Sequence, residues 1–279
     1  MKTSISARVT CCILFFIVQS VFGQTQRFMT YNIKYDNRAD TINNWDLRKE
    51  KLVALIKHYN PDFLGIQEAL VHQVQYIDQE LSGFSYVGVG RDDGQEKGEF
   101  SAIFYKKERY EVLESSTFWL SETPDIPSVG WDASMERICT YGLFRDLRTN
   151  QMLWVFNTHF DHIGIKARAA SADLILKKIE ILNTQGDPVI FMGDLNLTPE
   201  TAPIVKISGL LSDAQRVADS TYGPVGTFNG FTNDPVVNRI DYIFVKGVTV
   251  RKHEHIDDRL NSGLQISDHL PVLIITGTK

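Results

Sequence analysis

Two short blocks pair a carboxylate with a second polar side chain at the edge of an apolar run. Gly193-Asp194-Leu195-Asn196 follows Val189-Ile190-Phe191-Met192, and Ser267-Asp268-His269-Leu270-Pro271 leads into the last apolar segment. Asn32 and Glu68 stand in the same kind of place, just past runs that read as strands. Carboxylates and amides are costly to bury unless they are paired or hold a cation. Each one alone reads as turn capping, since Asp and Asn often begin turns. Four together, with His159 and His269 placed likewise, describe an acidic, His-containing cleft. Carboxylate and amide oxygens suit a hard cation, Mg²⁺ or Mn²⁺, and that chemistry acts on phosphate esters.

Two further positions refine this picture. His159 follows the strand-like Met152–Phe156 and can donate to a phosphoryl oxygen. Asp241 lies within Arg239-Ile240-Asp241-Tyr242-Ile243, among alternating apolar residues. A buried Asp needs a partner and an imidazole N–H is a suitable one, so we pair Asp241 with His269. Such a pair orients the ring and favours its charged form. His162 either binds substrate or caps the loop after His159. His58, His72, His253 and His255 fall on element surfaces by pattern and receive no role.

Several other chemistries are excluded. Gly88-Val89-Gly90-Arg91-Asp92-Asp93-Gly94 misses the dinucleotide spacing, and Gly83-Phe84-Ser85 lacks the second glycine of a nucleophile elbow. There is no P-loop and no zinc-spaced His/Cys set. The sequon Asn196-Leu197-Thr198 is read as accidental, because a glycan there would block the cleft.

The elements that must position these groups alternate along the chain. Strands are expected at Phe28–Ile33, Asp62–Ile66, Tyr86–Val89, Ala102–Tyr105, Val112–Leu120, Ile138–Phe144, Met152–Phe156, Val189–Met192, Ile240–Val245, Val248–Lys252 and Pro271–Ile275. Helical spacing runs through Leu47, Leu52, Leu55, Ile56 and Tyr59 to the stop at Pro61. It recurs in Leu70, Val74, Ile77 and Leu81, and in Arg168–Leu182 with Leu174, Ile175, Ile179 and Leu182 inward. Residues 198–238 read as a turn-rich stretch. Alternation in two halves argues for an α/β fold, with sheets packed together and helices outside. Trp45, Trp119 and Trp131 are expected to fill the core or line the cleft.

The first 23 residues read as a signal peptide cut before Gln24: a basic start at Lys2 and Arg8, then an apolar run too short for a mature membrane anchor. The protein is therefore expected to be exported, periplasmic or extracellular, with one domain over residues 24–279 and no stable membrane anchor. Cleavage takes the 29 basic side chains to 27 against 34 acidic ones, and the formal charge from −5 to −7. That balance argues against strong binding of duplex DNA. Only Cys139 of the three cysteines remains, so no intrachain disulfide is expected. The mature protein is expected to be a monomer.

Read in order, Met29-Thr30-Tyr31-Asn32, Ile66-Gln67-Glu68, Asn157-Thr158-His159, Gly193-Asp194-Leu195-Asn196, Ile240-Asp241-Tyr242 and Ser267-Asp268-His269 resemble the endonuclease/exonuclease/phosphatase superfamily of metal-dependent phosphoesterases. Gly90–Gly94, Phe118–Ser121 and Glu136–Cys139 are similar to an exported bacterial branch on the deadenylase and nocturnin side. The resemblance implies a four-layer α/β sandwich of two packed mixed sheets flanked by helices. It implies that Glu68 is the main Mg²⁺ (or Mn²⁺) ligand, with Asn32 and Asp268. Asp194 would activate the attacking water, Asn196 and His159 would contact the scissile phosphate, and His269, oriented by Asp241, would stabilise charge. Repair nucleases carry a tyrosine where this chain has His159, which argues against abasic-site chemistry. Arg137 either touches phosphate or forms a surface salt bridge with Glu136 or a neighbour. The expected substrate is a phosphodiester of nucleic acid or nucleotide. Sphingomyelin-like esters and inositol or sugar phosphates are alternatives, as is a non-catalytic binding protein on the same fold.

Overall fold

The computed structural model describes residues 25–277, so the expected signal peptide lies outside the described residues. The chain runs through β1 (Gln26–Asn32), α1 (Trp45–Tyr59), β2 (Phe63–Gln67), α2 (Val71–Glu80), β3 (Phe84–Val87), β4 (Ile103–Lys106), β5 (Tyr110–Trp119), β6 (Ile138–Asp146) and β7 (Met152–His159). It continues through α3 (Ile165–Leu182), β8 (Val189–Asp194), α4 (Ala202–Leu210), β9 (Ser212–Asp213), α5 (Ala214–Val217), β10 (Thr221–Tyr222), β11 (Asp241–Lys246), β12 (Thr249–His255) and β13 (Val272–Gly277). One sheet has the order β10-β12-β13-β1-β2-β4-β3 and the other β5-β6-β7-β8-β11-β9. Both mix parallel and antiparallel pairs, as β1–β2 and β7–β8 are parallel while β1–β13 and β8–β11 are antiparallel.

Why these runs are strands is visible in where alternate residues go. In β2, Phe63 joins the core between the sheets, while Leu64 and Ile66 join the core beneath α1 and α2. In β8, Ile190 and Met192 face between the sheets, while Val189 and Phe191 face α3 and α4. A strand apolar on both faces must be covered on both, and three separate apolar layers do so. The result is the expected four-layer α/β sandwich.

Helix ends follow local chemistry. The Asn44 side chain accepts from the Leu47 amide to start α1, and Asn60, at φ 46°, closes it by donating its amide to the Ile56 carbonyl. Pro61 then prevents continuation.

Two features escaped the sequence pattern. The turn-rich stretch 198–238 also holds α4, β9, α5 and β10. The nine residues of α4 are apolar nearly all round, with Ile204 and Ile207 buried but Val205 and Leu210 exposed, so no amphipathic stripe marks the helix. His253 and His255 are not on a surface; both are buried. The register of β12 shifts between Val250 and Lys252, and that bulge reverses which face the following residues occupy.

Beneath the cleft, polar side chains stitch the sheets together. Asn157 on β7 donates to the carbonyls of Ile66 and Ala102 at 2.9 Å each, and accepts from Gln67 at 2.6 Å. Gln67 also donates to Thr30 at 2.9 Å. A Cβ at Gly65 would lie 2.7 Å from the Asn157 oxygen, so only glycine leaves room for this bridge.

Candidate active site

The parallel pairs β1–β2 and β7–β8 bring four strand C-termini to one edge of the sandwich, and antiparallel β11 brings its first residue there. In the second sheet, His159 and Asp241 both stand level with Asp194, one on each side. In the first sheet, Asn32 ends β1 and Glu68 follows β2. Residues 267–269 enter from the loop before β13. They are held by the segment around Thr227: Asn229 and Gly230 donate backbone amides to the Asp268 carbonyl, and Leu270 donates to the Thr227 carbonyl at 2.7 Å. Gly193, at φ 148°, lets β8 approach β7 closely. A Cβ there would lie 2.0 Å from the Thr158 carbonyl oxygen.

Lys34, Glu68 and Asn196 all have left-handed backbones, at φ 58°, 63° and 48°. Such conformations are uncommon for these residue types and cluster at functional sites.

The eight residues that the sequence assigned to metal or catalysis meet here. Asn32 donates its amide to Glu68 Oε1 and to Asp194 Oδ2 at 3.0 Å each. Its oxygen is taken by the Lys34 backbone amide at 3.1 Å, so in this arrangement Asn32 fixes two carboxylates. The Lys34 ammonium lies 3.3 Å from both Glu68 Oε2 and Asp268 Oδ2. Burial alone would lower the Lys34 pKa, but Asp268 and Glu68 raise it. Burial would raise the Glu68 pKa, but the charges of Lys34 and His269 lower it. A cation therefore already sits between these two carboxylates. Their oxygens fit a hard divalent ion at the same place.

Across from them, His269 Nδ1 lies 2.8 Å from Asp241 Oδ2, and its Nε2 lies 3.7 Å from Asp194 Oδ2. Burial would lower the His269 pKa, but Asp241 and then Asp194 push it up to about 10. Asp194 moves the other way from a normal carboxylate: burial first, then the Asp241 charge, raises it to about 7. Asp194, Asp241 and His269 also lie close enough to share an ion. An imidazolium, however, has no lone pair to give, whereas Glu68 and Asp268 offer oxygens only.

His159 is the neutral counterpart. Burial and then the charge of Arg137 hold its pKa well below the ordinary range. Its Nε2 lies 3.1 Å from the Asn196 amide nitrogen, and accepting there leaves the proton on Nδ1. The Asn196 side chain also donates to the Phe160 carbonyl at 3.0 Å, and its backbone amide donates to Asp194 Oδ1 at 3.0 Å. The sequon asparagine is thus part of the cleft.

Arg137 is no surface salt bridge with Glu136. It is buried, with Nη2 3.1 Å from His162 Nδ1 and Nε 3.5 Å from Asp161 Oδ2. His162 is itself exposed and serves Arg137. Trp45 and Trp119 are buried, as expected, and Trp119 Nε1 donates to the Arg91 carbonyl at 2.7 Å. Sequence reasoning missed Lys34, Arg91 and Asp161. A lysine two residues beyond Asn32 was a signal for the first; the others are loop charges without a pattern.

Comparisons with known proteins point to one family. The profile of the Endonuclease/Exonuclease/phosphatase family matches residues 29–269. A mannosyl-6-phosphatase of Bacteroides thetaiotaomicron is 36% identical, with a TM-score of 0.86 over 89% of this chain and 98% of that one. An endonuclease/exonuclease/phosphatase of Bacteroides vulgatus is 38% identical, with a TM-score of 0.87 over 92% of this chain and 100% of that one. The human nocturnin catalytic domain, at 19% identity, shares the fold with a TM-score of 0.72 over 91% of this chain and 95% of that one. Among the described residues, no helix is long and apolar enough to cross a membrane.

Proposed function

Because the chain belongs to the endonuclease/exonuclease/phosphatase family, we propose that it is a divalent-metal-dependent phosphoesterase that cleaves phosphate esters of sugars or similar small polar alcohols by direct water attack. The observation that carries this reading is the placement of Asp194. It is pinned between a neutral imidazole, His159, and a charged one, His269, beside the paired oxygens of Glu68 and Asp268.

Glu68 and Asp268, steadied by Asn32, would hold Mg²⁺ or Mn²⁺. The ion supplies Lewis acidity toward a phosphoryl oxygen when bound. Asp194, raised to about 7, is matched to taking a proton from water near neutral pH. His269 stays protonated and donates to an oxygen on which charge develops, while Asp241 holds its ring. His159 adds a neutral donor at Nδ1, and Asn196 fixes its ring. Neither Ser267 nor Cys139 offers a nucleophile for a covalent intermediate: the Ser267 hydroxyl donates to the Asn32 carbonyl at 2.7 Å, and the buried Cys139 lies on β6.

The mannosyl-6-phosphatase relative supports a sugar phosphate over the nucleic acid phosphodiester that the sequence alone favoured. A complete set of cleft residues argues against a decayed, purely binding copy. The basic start and short apolar run of residues 1–23 support export, and N-terminal sequencing of protein from the native host tests it.

The deciding experiment is a panel under Mg²⁺ and Mn²⁺, with and without EDTA. It holds hexose 6-phosphates, p-nitrophenyl phosphate, bis-p-nitrophenyl phosphate, single-stranded RNA and sphingomyelin. Metal-dependent release of phosphate from sugar phosphates is expected. Turnover of RNA or sphingomyelin alone would overturn the substrate class.

A further inference from the structure

A recess opens beside the cleft, between the 90–101 loop and the start of β6, lined by Arg91, Glu99, Phe100, Ser101, Arg137 and His159. It belongs to the phosphate site by position. The Phe100 amide donates to the carbonyl of Ala69, the residue after Glu68, at 2.8 Å, and His159 stands level with Asp194.

Its walls carry two buried donors with neither a hydrogen bond nor an ion pair, Arg137 Nη1 and His159 Nδ1, while Arg91 Nε and Arg137 Nε make only longer ion-pair contacts, 3.7 Å to Asp92 Oδ1 and 3.5 Å to Asp161 Oδ2. Arg137 is only 4% exposed. Leaving buried charged donors unpaired is expensive, and native proteins rarely do so without a ligand in view. The remaining guanidinium nitrogens are tied down. Arg91 Nη1 donates to Glu99 Oε2 at 2.7 Å and Nη2 contacts Met135 Sδ at 3.1 Å, while Arg137 Nη2 is held by His162. Glu99 and Asp161 thus orient the two guanidiniums, and Arg137 Nη1 is left without a partner.

Charge decides what these donors meet: two guanidiniums and an imidazole N–H favour a charged phosphoryl oxygen over a neutral ester oxygen. A phosphate diester offers two non-bridging oxygens, and a monoester dianion offers three. With one oxygen at His269 and one that a bound cation would take, the third exists only in a monoester. Resting on the phosphoesterase reading above, we propose that Arg91, Arg137 and His159 Nδ1 form a receptor for this third oxygen, which makes the enzyme select phosphomonoesters against diesters.

The test compares kcat/KM for p-nitrophenyl phosphate and bis-p-nitrophenyl phosphate in wild type, Arg137→Met and Arg91→Gln, with circular dichroism to verify folding. Arg91→Gln leaves the Arg137–Asp161 pair intact, should Arg137→Met fail to fold. Wild type should prefer the monoester. Each variant should lose ~100-fold on it, the scale of charge-assisted hydrogen bonds to a developing anion, and much less on the diester, so that the monoester-to-diester ratio falls. Equal losses on both esters, no loss on either, or a wild-type preference for the diester would overturn the proposal. Calorimetry with inorganic phosphate and Mn²⁺ separates the two levels of the argument. Phosphate binding that depends on Arg91 and Arg137 in a protein that hydrolyses neither ester would sink the hydrolase reading and keep the receptor. Binding indifferent to both variants would sink the receptor itself.

Discussion

His269 and His253 are buried to nearly the same extent, 4% and 2% exposed, yet the protein holds them in opposite protonation states. His269 is raised to about 10 because the carboxylates of Asp241 and Asp194 outweigh its burial. His253 is lowered to about 3: burial dominates, and its neighbours His255 and Arg239 add positive charge. The rings of His253 and His255 lie 4.8 Å apart, and His255 Nδ1 lies 2.8 Å from the Pro224 carbonyl. Burial therefore does not make a histidine reactive. What distinguishes the cleft is its carboxylates: strand register sets Asp241 opposite Asp194, and the loop before β13 brings the His269 ring to both.

The largest expected effect comes from breaking the charged side of this comparison. Asp194→Asn and His269→Ala should each lower kcat by at least ~100-fold, the scale of losing a positioned base or an anion-stabilising donor. Steady-state kinetics on the best substrate of the panel provides the check. A folded His269→Ala enzyme with near wild-type kcat would move the search to His159. The double variant with Asp241→Asn should cost little more than His269→Ala alone, because the pair acts as one unit.

The neutral side predicts a stability effect. His253 stays unprotonated in the fold, while the unfolded chain takes up a proton below about pH 6.5. Stability is thus present above that pH and is lost as pH falls toward the folded value near 3. At pH 5 the loss from this one group is about 2 kcal/mol. His253→Leu should shrink the fall in Tm between pH 7.5 and 5.0 by roughly 5 °C for a chain of this size. An unchanged fall would mean that His253 is protonated or solvated in the fold.

Asp241→Asn should do less to kcat, about 10-fold, since it disturbs the orientation of His269 without removing the donor. It should also lower the His269 pKa, because the largest raising charge is gone. The alkaline limb of the pH–rate profile should then shift to lower pH. A profile that keeps its alkaline limb would contradict the role given to the pair.

Much of this was legible in the sequence, for a physical reason. Polar residues at the ends of apolar runs, such as Asp194 after Val189–Met192, are conspicuous because burial penalises them. Asp241 in an apolar strand announced its need for a partner, and His269 is that partner. Less legible were groups whose meaning depends on a local irregularity. The β12 bulge sent His253 and His255 inward against the simple alternation of Val250-Arg251-Lys252-His253-Glu254-His255. Lys34 and Arg91 lie in loops, where no periodicity shows which way a charge points. The apolar helix α4 lacks the polar face by which helices are recognised.

The central claim is that this cleft works only with a divalent ion held at Glu68 and Asp268. Its most direct test is phosphate release from a hexose 6-phosphate after EDTA treatment and gel filtration, titrated with Mg²⁺ or Mn²⁺ for wild type and Glu68→Gln. Metal-free protein should show no turnover, and wild type should recover saturably as metal is added. In Glu68→Gln, which should fold normally because no cavity is made, recovery should need far more metal. Full turnover by the metal-free enzyme, or identical metal titrations for the two proteins, would contradict it.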